Sequence, residues 1–249
     1  MLTEKRQEDI LKLVNEKQSM TVQELKEIFN ASESTIRRDI LSLHKQGKLQ
    51  KVFGGAIALD TPLSTKELSV VQKETINRDA KIKIAKCAAS LIEPEDFVFI
   101  DAGTTTDCMI DFISEKNATY VTNAVAHAKR LALLGFKVIL IGGELKGSTE
   151  AVAGTEAVIN IQKYHFSKGF FGVNGVSIRA GLTTPDISEA LVKRTAINNT
   201  QPQKRFVLCD NMKFGQISAV TFSMFDGVEI ITDMKPDEAF YRTAVIRVV

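Results

Sequence analysis

Two sets of side chains in this 249-residue chain have the types and spacing to do chemistry. The first lies between Ser32 and Lys51, where five Lys/Arg stand against two acids. Projected at about 100° per residue, Ser34, Arg38 and Lys45 fall opposite Ile36, Ile40 and Leu43, with Thr35, Arg37 and Ser42 on the flanks. Small hydroxyls beside cations on one helix face suit contacts with base edges and phosphates of a nucleic-acid duplex. Arg37 and Arg38 diverge by about one step of that projection, which aims Arg38 at a groove and Arg37 at its edge or the backbone. Lys48 and Lys51 add charge just beyond. A solvated face with local ion pairs is the plainer alternative. Glu33 stands four residues before Arg37, a pair worth a few tenths of a kcal/mol, whereas Arg38 and Lys45 have no acid at that spacing.

The second set gathers at the ends of apolar runs. Phe97–Ile100 leads into Asp101-Ala102-Gly103-Thr104-Thr105-Thr106 and then a helix containing Met109, Ile110 and Ile113. A Gly-containing turn that opens a helix at the carboxyl end of a strand exposes backbone N–H groups and the positive end of the helix dipole, which suits a phosphate. The alternative is that Asp101 or Thr104 merely caps that helix. Other runs also end in small or polar residues: Tyr120-Val121 in Thr122-Asn123, Val138–Ile141 in Gly142-Gly143, Phe170-Phe171 in Gly172-Val173-Asn174-Gly175, and Phe206–Cys209 in Asp210. In open α/β sheets ligands bind outside the carboxyl ends of strands. Lys213 can supply a point charge there, and Glu189 and Lys193, four apart, are either ligand groups or a surface pair.

The elements that must position these residues differ along the chain. Up to Gln46 the pattern is helical. One helix runs from about Glu4 to Lys17; Thr21-Val22-Gln23-Glu24 is a capping box opening a second; Ser32 caps a third that ends near Gln46 before Gly47. The short gap between the last two forces a helix-turn-helix, and Leu49–Phe53, Gly54-Gly55, Ala56–Ala58 form a hairpin that makes a wing. A helix from about Asn77 to Leu91 precedes the alternation of strands and helices that begins at Phe97, which predicts a mostly parallel sheet. Between the two parts, Leu59–Thr65 has turn composition and a proline. The expected division is 1–58 for the winged helix, 59–75 for a linker and 76–249 for the α/β part.

Composition narrows the class. At 44% hydrophobic and 25% charged the chain is globular, and no apolar run approaches the roughly 18 residues of a membrane span. Cys87, Cys108 and Cys209 form no C-x-x-C and are odd in number, and the N-terminus turns charged at once, so a cytoplasmic protein without disulfides is expected. His44, His127 and His165 lie too far apart for a local metal motif, Gly142–Ser148 lacks the G-K-[ST] of a P-loop, and no G-x-S-x-G occurs. No cofactor or metal is expected.

A family resemblance rests on residues already quoted. Ser34-Thr35-Ile36-Arg37-Arg38-Asp39-Ile40, with Gly47-Lys48-Leu49 and Gly54-Gly55-Ala56, resembles the winged-helix signature of DeoR-family bacterial transcription regulators. Arg78…Lys81, Asp101–Thr105, Thr122-Asn123, Gly142-Gly143, Gly154, Gly172…Gly175, Gly181–Thr184 and Asp210…Lys213-Phe214-Gly215 resemble the sensor domain of the same family, whose fold is similar to ribose-5-phosphate isomerase. The resemblance implies that Asp101 and Asp210 bind sugar hydroxyls while Gly103–Thr106 and Lys213 hold a phosphate. Asn211-Met212 departs from the small or hydroxyl residues more usual there. Within the family, Asn30–Thr35, Thr104–Thr106 with Met109–Phe112, and Gly172–Gly175 with Thr183–Asp186 resemble fructose-operon repressors of Gram-positive bacteria. That implies operator DNA and a phosphosugar such as fructose 1-phosphate as partners, and a homodimer or homotetramer. Two rivals remain: a sugar-phosphate isomerase with an appended helical domain, in which Asp101 and Glu189 act as acid and base, and a protein-interaction module.

Overall fold

The computed structural model describes residues 3–17, 19–52, 54–58 and 69–249, and divides into two compact units, 1–62 and 63–249. The expected linker therefore lies largely outside the described residues, as does Phe53 of the hairpin.

In the first unit α1 (Thr3–Lys17), β1 (Ser19–Thr21), α2 (Val22–Phe29) and α3 (Glu33–Lys45) precede β2 (Leu49–Val52) and β3 (Gly55–Ala58). The Thr21 box forms: Thr21 Oγ1 accepts from Glu24 N at 3.1 Å while Glu24 Oε2 accepts from Thr21 N at 2.8 Å. Asn30, in the left-handed region, ends α2, and Ser32 caps α3 by accepting from Thr35 N. Ile36, Ile40 and Leu43 pack on Ile10, Val14 and Leu25, the stripe that the periodicity predicts. The wing has three strands, in the order β1-β3-β2. β1 is too short to show in the sequence; it is revealed by Gly55, where a Cβ would meet the Met20 carbonyl oxygen at 2.3 Å.

In the second unit α4 (Val70–Glu74) occupies part of the expected linker. Then follow α5 (Arg78–Ala89), β4 (Phe97–Ile100), α6 (Thr104–Ile110), β5 (Thr119–Thr122), α7 (Val125–Leu133), β6 (Lys137–Leu140), β7 (Glu144–Lys146), β8 (Ala151–Ala153) and α8 (Thr155–Gln162). The chain continues through β9 (Lys168–Gly172), β10 (Gly175–Ser177), β11 (Gly181–Thr184), α9 (Ile187–Asn198), β12 (Arg205–Leu208), β13 (Val220–Ser223), β14 (Val228–Thr232) and β15 (Val245–Val248). Seven strands form one wholly parallel sheet, β15-β14-β12-β9-β4-β5-β6, two more strands than the sequence pattern shows. Alternation along the strands feeds two cores. Phe99, Phe171 and Val207 face one side; Val98, Ile100, Phe170 and Phe206 face the other. α6 ends at Ile110, so Ile113 is buried but lies beyond the helix expected to include it.

The order of strands reverses between β4 and β9, where one run of connections leads to β5 and β6 and the other to β12 and β14. Such a switch point opens a crevice at the carboxyl edge of the sheet. At the opposite edge a buried Lys168 joins the loop before β4 to β9, bonding Asp96 at 2.7 Å, while Ser167 Oγ donates to Asp96 at 2.7 Å. Chemistry and scaffold are thus kept at opposite ends of the same strands.

Candidate functional site

The first unit presents its cations outward. Arg38, Lys45, Lys48 and Lys51 are exposed, as is Ser34, while Thr35 and Ser42 are half-buried on the flanks of α3. Arg37 is held by Glu33, with Nε 2.8 Å from Oε1, which leaves Arg38 as the arginine of the outer face. Thr35 Oγ1 and Ser34 Oγ lie 2.8 and 2.9 Å from the Ser32 hydroxyl, so the first turn of α3 is a linked hydroxyl cluster. One residue that the sequence does not single out orients this helix. Asp39 is buried and accepts from Arg6 Nε at 2.6 Å and Gln7 Nε2 at 3.1 Å, tying α3 to α1.

The second unit has a cleft of about 540 Å³ at the switch point. Of the expected ligand residues, Gly103, Thr104, Thr105, Asn174, Glu189, Lys193, Asp210 and Lys213 line it. Gly103 is the N-cap of α6 and no side chain caps that turn, so the capping alternative for Asp101 and Thr104 is not what forms. Glu189 and Lys193 are buried rather than a surface pair, and each has its partner elsewhere. Glu189 Oε1 accepts from Thr149 Oγ1 at 2.6 Å and Lys146 Nζ at 3.1 Å; Lys193 Nζ bonds Asp101 Oδ2 and reaches the Gly172 carbonyl at 3.3 Å.

Five expected residues stand outside the cleft wall. Asp101 is fully buried behind Lys193, where Oδ2 also accepts from Gly172 N at 2.9 Å and Oδ1 is unpartnered. Burial pushes its carboxyl up, against the pull of the Lys193 ammonium. Asp101 thus holds Lys193 in place and does not itself line the cleft. Thr106 turns inward and donates to the carbonyls of Asp101 and Gly103, because its hydroxyl satisfies the buried turn. Asn123 Oδ1 accepts from Ala102 N at 2.8 Å and so fixes the loop. Gly142 faces Asn160, and Gly143, at φ +148°, lies where a Cβ would meet the Ala153 carbonyl at 2.7 Å. Gly143 serves close packing, whereas a Cβ at Gly142 would make only ordinary contact.

The structure adds Asn77, Lys73 and Thr149, which the sequence does not single out, and gives Lys81, quoted above only within the family signature, a place on the cleft wall. Asn77, in the left-handed region before α5, donates from Nδ2 to Asp210 Oδ1 at 3.0 Å, and Asp210 in turn caps the turn bearing Lys213 by accepting from Met212 N at 3.1 Å. Lys81 is one helical turn beyond Asn77, only 4% exposed, and donates to the Lys73 carbonyl. Burial lowers its pKa, with the Asp210 carboxylate opposing. The spacing of Asn77 and Lys81 was visible in the sequence; their facing Asp210 was not. Four lysines, Lys73, Lys81, Lys193 and Lys213, thus border the cleft against Glu189 and Asp210. Among the described residues no group of His, Cys, Asp and Glu could hold a metal ion, and no helix is long and apolar enough to cross a membrane.

A winged helix with an exposed cationic recognition face, joined to an α/β unit with a cation-bordered cleft, defines a DNA-binding regulator. The DeoR-like helix-turn-helix domain matches residues 6–62 and the DeoR C-terminal sensor domain matches residues 76–234. The chain belongs to the DeoR family of transcriptional regulators, and is a regulator rather than an enzyme. It is 42% identical over 234 residues to the uncharacterized HTH-type transcriptional regulator FruR of Bacillus subtilis (strain 168), covering 93% of this chain and 91% of that protein. It is 34% identical over 237 residues to the lactose phosphotransferase system repressor of Staphylococcus aureus (strain NCTC 8325 / PS 47), covering 94% and 93%. Among solved structures it is similar to ribose 5-phosphate isomerase A from Methanocaldococcus jannaschii, at a TM-score of 0.40, 14% identity and 55% of each chain.

Proposed function

We propose that the chain is an operator-binding repressor of a sugar uptake or catabolism operon, most specifically one for fructose, and that a phosphosugar such as fructose 1-phosphate releases it from DNA. Arg38 enters the major groove with Ser34, Thr35, Ser42 and Lys45 around it, while Arg37, Lys48 and Lys51 meet phosphates. In the cleft, Lys213, Lys81 and the Gly103–Thr105 turn take the phosphate, and Asp210, Asn174 and Glu189 take hydroxyls. The carrying observation is the cleft itself, where four lysines border an uncapped helix start at the switch point of the sheet. A phosphate dianion there meets cations already held by the fold, in a site less screened than the surface. The names of the FruR and lactose-system relatives support a sugar operon. A repeated or palindromic operator would be read by a homodimer or homotetramer, acting in the cytoplasm where the DNA is.

The test is a mobility-shift titration of the chain's own promoter DNA with a panel of phosphosugars. Fructose 1-phosphate should weaken the complex about 5–150-fold, as coupling of ordinary size requires, while unphosphorylated fructose should not. Equal retention with every phosphosugar would refute the reading of the cleft. Lys213→Ala should bind DNA normally and fail to release it.

A further inference from the structure

The first described element after the segment that joins the two units is α4, fastened at its end by a group of the cleft and at its start by the residue next to one. At its start, Val70 N donates to the Ser148 carbonyl at 3.2 Å. The neighbouring Thr149 lines the cleft and is held by Glu189 at 2.6 Å. At its end, the Lys73 carbonyl accepts from the Lys81 ammonium. Val70, Lys73 and Lys81 all border the cleft. α4 itself has only five residues, so its own hydrogen bonds cannot hold it and these outside anchors must.

We infer that α4 is the element through which occupancy of the cleft reaches the DNA-reading unit. The inference rests on the reading of that cleft as an anion site. A lysine ammonium has three donors, of which the Lys73 carbonyl uses one. A phosphate that takes the others puts a dianion beside a buried cation and changes the anchor at the end of α4. A hydroxyl that competes for Glu189 loosens or re-aims Thr149 and with it the turn that anchors the start. The ligand therefore makes contacts that differ with the placement of α4, which is the requirement for any ligand to shift a conformational equilibrium. The joining segment departs covalently from Ser69, so a new placement of α4 is a new origin for the tether of the winged helix.

A disulfide lock tests this. The Val70–Ser148 hydrogen bond brings the two residues near the roughly 4–7 Å Cα separation that a disulfide spans. The double variant Val70→Cys/Ser148→Cys, in the full chain, is compared oxidised and reduced, with oxidant-treated wild type as the control for Cys87, Cys108 and Cys209. With saturating fructose 1-phosphate, operator affinity should fall about 5–150-fold in wild type, and the reduced variant, whose own fall is measured, is the reference for the oxidised one. In the oxidised variant operator affinity should change less than twofold. Release of the oxidised variant to the same extent as the reduced one overturns the inference alone. Failure of wild type to respond to any phosphosugar overturns the reading of the cleft and this inference with it. A second variant inserts ten Gly and Ser residues after Thr65, between β3 and α4 in sequence. It should bind fructose 1-phosphate with unchanged affinity, yet its ligand-dependent release should shrink at least fivefold; full release would overturn the inference.

Discussion

In the winged helix the cations stand in solvent, Arg38, Lys45, Lys48 and Lys51 among them, and one buried acid, Asp39, fastens their helix to Arg6 and Gln7. In the α/β unit the arrangement is inverted: Lys81 and Lys193 are 4% exposed, Asp101 is fully buried, and these groups are fastened to one another or to backbone carbonyls. The difference fits the two ligands proposed above, a DNA duplex for one unit and a small anion for the other. Duplex DNA arrives as a broad surface and is met by charges that keep their hydration until contact, so each is worth little to the fold. A small anion enters a crevice and is met by charges whose desolvation the fold has already borne. Such charges are positioned accurately, but the fold depends on them.

Substitutions should separate the two cases. The largest effect belongs to Lys193→Met, which leaves Asp101 buried without its cation. The α/β unit should lose about 3–5 kcal/mol in urea denaturation, and Asp101→Leu/Lys193→Met should recover most of it. Exposed Arg38→Ala should leave that transition unchanged and cost about 1–3 kcal/mol of specific operator affinity, measured by anisotropy against a scrambled duplex. A titration sharpens the contrast further. Burial holds His127 down to about 4 from its ordinary 6.5, so as the pH falls through that window the unfolded chain binds the proton first. Stability should therefore drop by about 2 kcal/mol between pH 7 and pH 5, and His127→Leu should flatten that part of the calorimetric profile. The smallest effect is that of Lys48→Ala, which should weaken all duplexes alike and reduce the salt slope by about one.

The same contrast sets what the sequence discloses. Thr21, Ser32 and the Ile36–Ile40–Leu43 stripe could be placed because capping and the helical period act over three or four residues. The exposed face of α3 follows once its buried face is known. In the α/β unit the strand ends are legible, since apolar runs stop at small or polar residues there, and eight of the expected residues do border the cleft. Which of them face it is decided across the sheet. Lys193 meets Asp101 from 92 positions away, and Asn77 meets Asp210 from 133, so no local pattern distinguishes Glu189 and Lys193 from a surface pair. Thr106 and Asn123 read as ligand residues for the same reason, yet in the fold they stand outside the cleft wall with their polar groups bonded to the backbone of a buried turn. β14, the edge strand β15 and the short β1 carry no signal beyond a few apolar residues, and their pairing partners lie elsewhere in the chain.

Release from operator by a phosphosugar requires that the two differently built sites be coupled, and coupling of binding is reciprocal. The most direct measurement is calorimetric titration of fructose 1-phosphate into the full chain, alone and saturated with operator. Operator should weaken fructose 1-phosphate binding by the same factor, about 5–150, by which fructose 1-phosphate weakens operator binding. An affinity for fructose 1-phosphate that is the same with and without operator would contradict that coupling.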